Sequence, residues 1–354
     1  MTTQIKILVV THSYGLNGAA AQLKSVMHYW AKTLNWTVDA LVNEENSSRY
    51  GEELRVLGVN PVLVAYPETG YQFVLINTIT DIEFVNLFYG KLPIILWVHD
   101  GSTALKAFRA PPIKFIELFN KCDLLIFNSD WQIDEVFKSF IYQIPRRKVV
   151  SISGGAEIAG PIGTQKKGQS STLQIVCLGS VYPRKRQSDL AQAVVNLSKS
   201  HTIECTFIGS LDQAYLFGTQ FNDYFKAHDQ CLKWAGGISE EEKNTIMANS
   251  DVACFPSGDE TFNIAALEAA LFKLPVILAD LPVYNYVGWQ DGENCLKYPV
   301  EDIKSLERVL QRLIDDPLLR AKISEAGYSL ATRFNMNSYF TNMTRVVSAI
   351  GPNI

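Results

Sequence analysis

Two glutamates, Glu260 and Glu268, stand in the run Phe255-Pro-Ser-Gly-Asp-Glu-Thr-Phe-Asn-Ile-Ala-Ala-Leu-Glu268, directly after an apolar, strand-like segment. Asp259 or Thr261 can cap a helix starting near Phe262, and Leu274, restricted by the following Pro275, ends it. Such a helix start at a strand's carboxyl end offers free N–H groups and a positive dipole end, which suit a phosphate. Glu260 would lie just before that end, with Glu268 about 12 Å further along by helical rise. That span fits a substrate with a sugar at one end, phosphates in the middle and a ribose at the other, each carboxylate accepting hydrogen bonds from hydroxyl groups. The plainer alternative is a pair of solvated helix charges; the Pro-Ser-Gly-Asp lead-in weighs against it.

A second group is Leu178-Gly-Ser-Val-Tyr-Pro-Arg-Lys-Arg-Gln187, a strand followed by a glycine-containing turn and adjacent cations. Lys185 on such a loop could neutralise a diphosphate without a metal, with Arg184 and Arg186 pointing elsewhere. A solvated basic turn competes evenly. A third group, Thr11-His-Ser-Tyr-Gly-Leu-Asn-Gly-Ala-Ala-Ala21, has glycines at 15 and 18 that permit close backbone approach to an anion. It fails the G-x-G-x-x-G spacing, and the chain has no G-x-x-x-x-G-K-[ST] loop. In Trp97-Val-His-Asp-Gly101, His99 could hydrogen-bond a hydroxyl or phosphate, although a structurally satisfied histidine beside a simple Asp100-Gly101 turn reads almost as well. No two aspartates stand two apart and no His/Cys cluster occurs, so a metal-free charge scheme is expected.

The elements that must position these groups alternate. Ile5–Val10, Thr37–Val42, Val74–Asn77, Ile94–His99, Leu124–Asn128 and Val149–Ser153 read as short strands, with an amphipathic stretch from Ala19 to Leu34. From Gly154 to Thr172 the chain turns rich in Gly, Pro, Lys, Gln and Ser, the texture of a linker. Leu173–Leu178, Ile203–Ile208, Asp251–Phe255 and Pro275–Ala279 then read as strands, with helices near Ser188–Leu197, Glu240–Asn249 and Phe262–Phe272. Ile303, Leu306, Val309, Leu310 and Leu313 fall at helical spacing, as do Tyr339, Met343, Val346, Val347 and Ile350. The expectation is two doubly wound α/β lobes, with ligands between them at the carboxyl ends of both sheets.

Composition sets the outer bounds. The 354 residues, 47% hydrophobic and 19% charged, exclude a disordered chain and favour two domains. A net charge of −4 offers no global field for nucleic acid. The six cysteines lack C-x-x-C spacing and mostly sit in apolar runs, as buried thiols in a reducing cytoplasm would. The longest apolar runs, such as Leu92 to Val98, fall short of the ~20 residues of a membrane helix. Lys106, Phe108, Arg109, Lys114, Phe115, Phe119 and Lys121 form a basic, aromatic stretch. An amphipathic helix packed on its sheet is the first reading of it; weak peripheral contact with an anionic membrane, or with an acceptor glycan, is the second.

Glu260 and Glu268 match the E-x7-E signature of retaining glycosyltransferases with the GT-B fold. The chain resembles glycosyltransferase family 4 along most of its length, through His99-Asp100, Ile152-Ser-Gly-Gly155, Gly179 to Lys185, Asp291-Gly-Glu-Asn and Asp315-Asp-Pro317. The resemblance implies a retaining, metal-independent hexosyltransferase using a UDP-, GDP- or ADP-sugar and a glycan or lipid acceptor. Its domains would be 1–155 on the acceptor side, a linker at 156–172, 173–334 on the donor side, and a final helix in 335–354 crossing back to the first. By motif, Lys185 would bind the donor diphosphate, Glu268 the ribose and Glu260 the donor sugar, stabilising oxocarbenium character. Backbone N–H groups of Phe262 and Asn263 would meet the sugar or phosphate, Gly18 would approach the diphosphate, and His99 would contact the transferring sugar. Ser180, in the donor loop, stands where many relatives carry an arginine, leaving Lys185 with more of the charge. Arg186 and Asn263 replace frequent glycines, and Ala20 an often acidic residue. These departures leave room for a catalytically weak nucleotide-sugar-binding protein; a nucleotide-sugar epimerase of similar architecture is the further alternative.

Overall fold

The computed structural model describes residues 4–15, 18–67, 70–107, 112–160, 172–211 and 216–350. The chain divides into two units, one of Met1–Gly155 with Met336–Ile354, the other of Ala156–Asn335. Among the described residues the first holds a seven-stranded sheet: β1 (Lys6–Val10), β2 (Thr37–Leu41), β3 (Asn60–Val62), β4 (Phe73–Asn77), β5 (Ile94–Val98), β6 (Leu124–Phe127) and β7 (Val149–Ser151), in spatial order β3-β2-β1-β4-β5-β6-β7. Every pairing is parallel. Continuous burial of β4 and β5 follows, because helices cover both faces and no position faces water. Alternation then separates the two cores: Ile7, Val9, Phe73, Leu75, Ile95 and Trp97 belong to one, and Leu8, Val10, Val74, Ile76, Ile94 and Leu96 to the other.

Into the first of these cores packs the last helix, Met336–Ser348, through buried Tyr339, Met343 and Val347. Trp30 Nε1–H donates to Thr344 Oγ1 at 2.9 Å, and the Tyr29 and Phe340 rings stack with centroids 4.5 Å apart. A Cβ on Gly155 would stand 3.0 Å from the Met336 Cα and 2.6 Å from its Sδ, so glycine lets this helix start close against the chain.

The second unit holds, among the described residues, a six-stranded sheet of β8 (Leu173–Leu178), β9 (Ile203–Ile208), β10 (Leu232–Gly236), β11 (Val252–Phe255), β12 (Val276–Ala279) and β13 (Leu296–Tyr298), in order β10-β9-β8-β11-β12-β13 and again parallel. Strand order reverses between β1 and β4 in the first sheet and between β8 and β11 in the second. At such a reversal the loops leaving the carboxyl ends part company and open a crevice.

Sequence periodicity misses β3, β10 and β13. All lie at sheet edges; β3 and β13 are only three residues long, β3 contains Pro61, and β10 has only its first residue buried, so none shows the apolar run that marks a central strand. All six cysteines are buried and free. Among the described residues no helix is long and apolar enough to cross a membrane.

Candidate active site

The loop after β8 is held shut by its own backbone. Gly179 and Gly209, which follow β8 and β9, adopt φ of 145° and 147°, and a Cβ on Gly209 would fall 2.2 Å from the Gly179 carbonyl oxygen. No other residue fits there. Ser210 Oγ–H donates to Ser180 Oγ at 3.3 Å, and Gln187 Nε2–H donates to the Ser180 carbonyl at 3.0 Å, closing the loop's base. Between these points Pro183–Lys185 forms a single 3-10 turn that ends at Arg186, left-handed at φ 52°. Glycine adopts such a conformation without penalty, so Arg186 holds it at some strain. Its side chain is engaged by Asp189 at 2.8 Å and Glu301 at 2.6 Å.

The loop after β11 crosses this turn, Gly258 N–H donating to the Arg184 carbonyl at 2.8 Å. Lys185 Nζ lies 2.6 Å from Glu260 Oε1, and Ser257 Oγ–H donates to the same oxygen at 2.7 Å. Arg184 does not point away, contrary to expectation: its Nη1 is 3.7 Å from Glu260 Oε2, and the guanidinium also donates to the Asp259 carbonyl and the Tyr182 hydroxyl. Adjacent long side chains leaving one tight turn can both reach a single carboxylate, which residue spacing alone does not reveal. Glu260 is only 6% exposed, so it is no solvated helix charge. Burial works to raise its pKa, but Lys185, Arg184 and the hydrogen bonds from Lys185 and Ser257 outweigh this and hold it below the ordinary value.

The helix after this loop is Ile264–Leu271, so neither Asp259 nor Thr261 caps a helix at Phe262. Glu260 and Phe262 belong to the loop, and no helical rise connects Glu260 to Glu268. Asn263 is the cap: its Oδ1 accepts from Ala266 N–H at 3.3 Å, and its Nδ2–H donates to the Tyr284 hydroxyl at 2.9 Å. It sits at φ 65°, a conformation asparagine tolerates and glycine prefers, which accounts physically for its replacing a glycine. Phe262 is buried edge-on against Phe334, centroids 5.4 Å apart. Glu268, partly exposed, faces Lys243 Nζ at 3.5 Å, and Lys243 also holds Glu240 at 2.6 Å. Burial raises the Glu268 pKa, against the pull of Lys243.

The first unit holds the other two candidates. Gly18 opens the helix Gly18–His28, and nothing described lies within 4 Å of where its Cβ would be. His99 follows β5 with its ring 4.3 Å from that of Trp97. Trp97 Nε1–H donates to Asn128 Oδ1 at 3.0 Å, which fixes the amide so that Nδ2–H donates to His99 Nδ1 at 3.2 Å and the imidazole proton resides on Nε2. Burial lowers the His99 pKa to about 3, so this ring is a neutral hydrogen-bonding group. Asp100 is more than a turn residue, its Oδ2 accepting from Ile79 N–H at 2.8 Å. Phe108 and Arg109 of the basic stretch lie outside the described residues. Phe115 and Phe119 are core residues, while Lys114 pairs with Glu83 and Lys121 donates to Asn86 Oδ1 at 2.7 Å, as a helix packed on its sheet would.

Residues 164–330 match the family model for glycosyl transferases group 1. They carry a group 1 domain. Lys185, Glu260 and Glu268 all fall inside it. Over 216 residues the chain is 24% identical to the MMP alpha-(1->4)-mannosyltransferase of Mycolicibacterium hassiacum, covering 54% of this chain and 51% of that one. Over 224 residues it is 25% identical to the phosphatidyl-myo-inositol mannosyltransferase of Mycobacterium leprae, covering 62% and 56%. The chain thus spans about half the length of the curated relatives it matches. Anabaena Alr3699/HepE, solved in complex with UDP-glucose, superposes with a TM-score of 0.78 at 17% identity, covering 98% of this chain and 100% of that one. The fold is therefore GT-B, two Rossmann-like α/β units.

Proposed function

We propose that the chain is a retaining, metal-independent glycosyltransferase that passes a sugar from a nucleotide diphosphate donor to a glycan or lipid acceptor. The observation that carries this reading is the buried Glu260 held by the half-buried cations Lys185 and Arg184 where the second sheet reverses strand order, within the residues that match the group 1 family model. Lys185 and Arg184 supply fixed positive charge for a diphosphate, the task a divalent metal performs elsewhere. When the ammonium turns to the phosphates, Arg184 and Ser257 remain beside Glu260, whose carboxylate accepts hydrogen bonds from donor-sugar hydroxyls and stabilises positive charge that develops at the anomeric carbon. The bond from that carbon to the phosphate oxygen breaks as the acceptor oxygen adds on the same face, and the hydroxyl proton passes to the departing phosphate. Glu268 is assigned to the ribose, the backbone N–H groups of Phe262 and Asn263 to the sugar or phosphate, Ser180 to the donor loop, Gly18 to the diphosphate and His99, through Nε2–H, to the transferring sugar. The reading places the protein in the cytoplasm, where sugar nucleotides are made.

A thermal-shift panel of UDP-, GDP- and ADP-sugars should raise the unfolding midpoint with one nucleotide class, because that ligand binds only the folded chain. With the donor so found, Glu260→Gln and Lys185→Ala should each cut transfer by about a hundredfold or more. Variants that fold and retain full transfer activity would sink the assignment. Chelator should leave the rate unchanged, and the anomeric proton coupling of the product should match that of the donor.

A further inference from the structure

His12 and Asp81 flank the strand-order reversal of the first sheet. His12 follows β1, and Asp81 ends the 3-10 turn Ile79–Asp81 after β4. The imidazole Nδ1 is 2.8 Å from Asp81 Oδ2, and the His12 backbone N–H donates to the same oxygen at 2.9 Å. Asn46 Nδ2–H donates to the His12 carbonyl at 3.1 Å, so the residue is held at three points. A carboxylate only accepts, so Nδ1 carries the proton and Nε2 is the ring's outward end. The carboxylate side chain is 7% exposed and the imidazole 46%, and among the described residues Nε2 makes no hydrogen bond. A buried acid thus fixes a half-exposed ring beside the strand-order reversal, the place where open α/β sheets take ligands.

We propose that His12, oriented by Asp81, binds an uncharged hydroxyl group of the sugar acceptor through Nε2. This rests on the glycosyltransfer reading above. The hydroxyl follows from the two states of the ring: neutral, Nε2 accepts from O–H; protonated, it donates to the hydroxyl oxygen. A phosphate or carboxylate binds only the charged ring and must approach Asp81 and Asp100, the two acidic groups that act on it. The hydrogen bond to Asp81 raises the His12 pKa, burial opposes this, and the charges of Asp81 and Asp100 add to the rise.

The test uses the full chain with 15N-labelled histidine and two polyol probes, 4-nitrophenyl α-mannoside and myo-inositol, with inorganic phosphate as the anionic control. At least one polyol should shift the His12 Nε2 resonance saturably on both sides of its titration, and Asp81→Ala, which removes the acceptor that holds the ring, should abolish the shift. In transfer assays with the same probe, His12→Gln should raise the acceptor KM about fivefold to tenfold, leaving kcat and donor KM near wild type. No response of His12 to either polyol, a response to phosphate alone, or an unchanged acceptor KM overturns the proposal. A chain that binds no sugar nucleotide in the thermal-shift panel overturns the glycosyltransfer reading itself, and this inference falls with it.

Discussion

Glu260 is an anion between two cations, so no single substitution there acts alone. Removing Arg184 leaves Glu260 with Lys185 as its remaining cation, which ties the ammonium more firmly to the carboxylate and frees less charge for a diphosphate. Arg184→Ala should therefore weaken nucleoside diphosphate binding by about tenfold or more, measured by calorimetry, and a double-mutant cycle with Glu260→Gln should be strongly non-additive. His99 allows a second prediction. Its folded pKa of about 3 lies below the ordinary 6.5, so from pH 6.5 downward the unfolded chain gains a proton that the folded chain refuses. Stability from this group is complete above 6.5 and falls as pH drops toward 3, with a limiting slope of about 1.4 kcal/mol per pH unit. Glu260, lowered from 4.5, loses its contribution only further down, as pH falls through its folded value. Urea titrations at pH 6.5 to 5 should show a shallower pH dependence for His99→Gln than for the wild type. The sequence shows Glu260, Lys185 and His99 because each follows an apolar strand. It hides Arg184 and Ser257, whose roles depend on two loops meeting.

At the scale of elements, both candidate loops owe their shape to residues at positive φ. Gly209→Ala would push a methyl group into the Gly179 carbonyl and should unfold or severely destabilise the second unit, seen as lost soluble expression or a Tm lowered by many degrees. Asn263 offers a graded case. Asn263→Gly keeps the left-handed conformation and loses the side-chain cap, whereas Asn263→Ala loses both; denaturant titration should find alanine the more costly by about 1 kcal/mol. The misplaced helix start has the same origin. Asp259 and Thr261 are good caps by composition, but the chain spends Asp259 to Phe262 on the loop that presents Glu260, and the helix begins only where Asn263 turns it. Central strands were legible because burial on both faces makes them continuously apolar. The edge strands β3, β10 and β13 were not, because β3 and β13 are only three residues long and β10 buries only its first residue.

At the scale of the molecule, the first unit is discontinuous in sequence. Its core takes Tyr339, Met343 and Val347 from a helix some three hundred residues downstream of Trp30, which they adjoin. Helical spacing in the last segment showed an apolar strip needing cover, but only the resemblance indicated which unit supplies it. Met343→Ala, at a fully buried position, should cost about 2–5 kcal/mol and lower the unfolding transition of the first unit. The same arrangement governs biosynthesis. As the chain emerges from the ribosome, residues 156–335 can complete their own core first, while the earlier-made sheet waits with one apolar flank bare until residues 336–348 arrive. Order of translation and order of folding are therefore inverted, and a nascent chain stalled before Met336 would present that flank to chaperones.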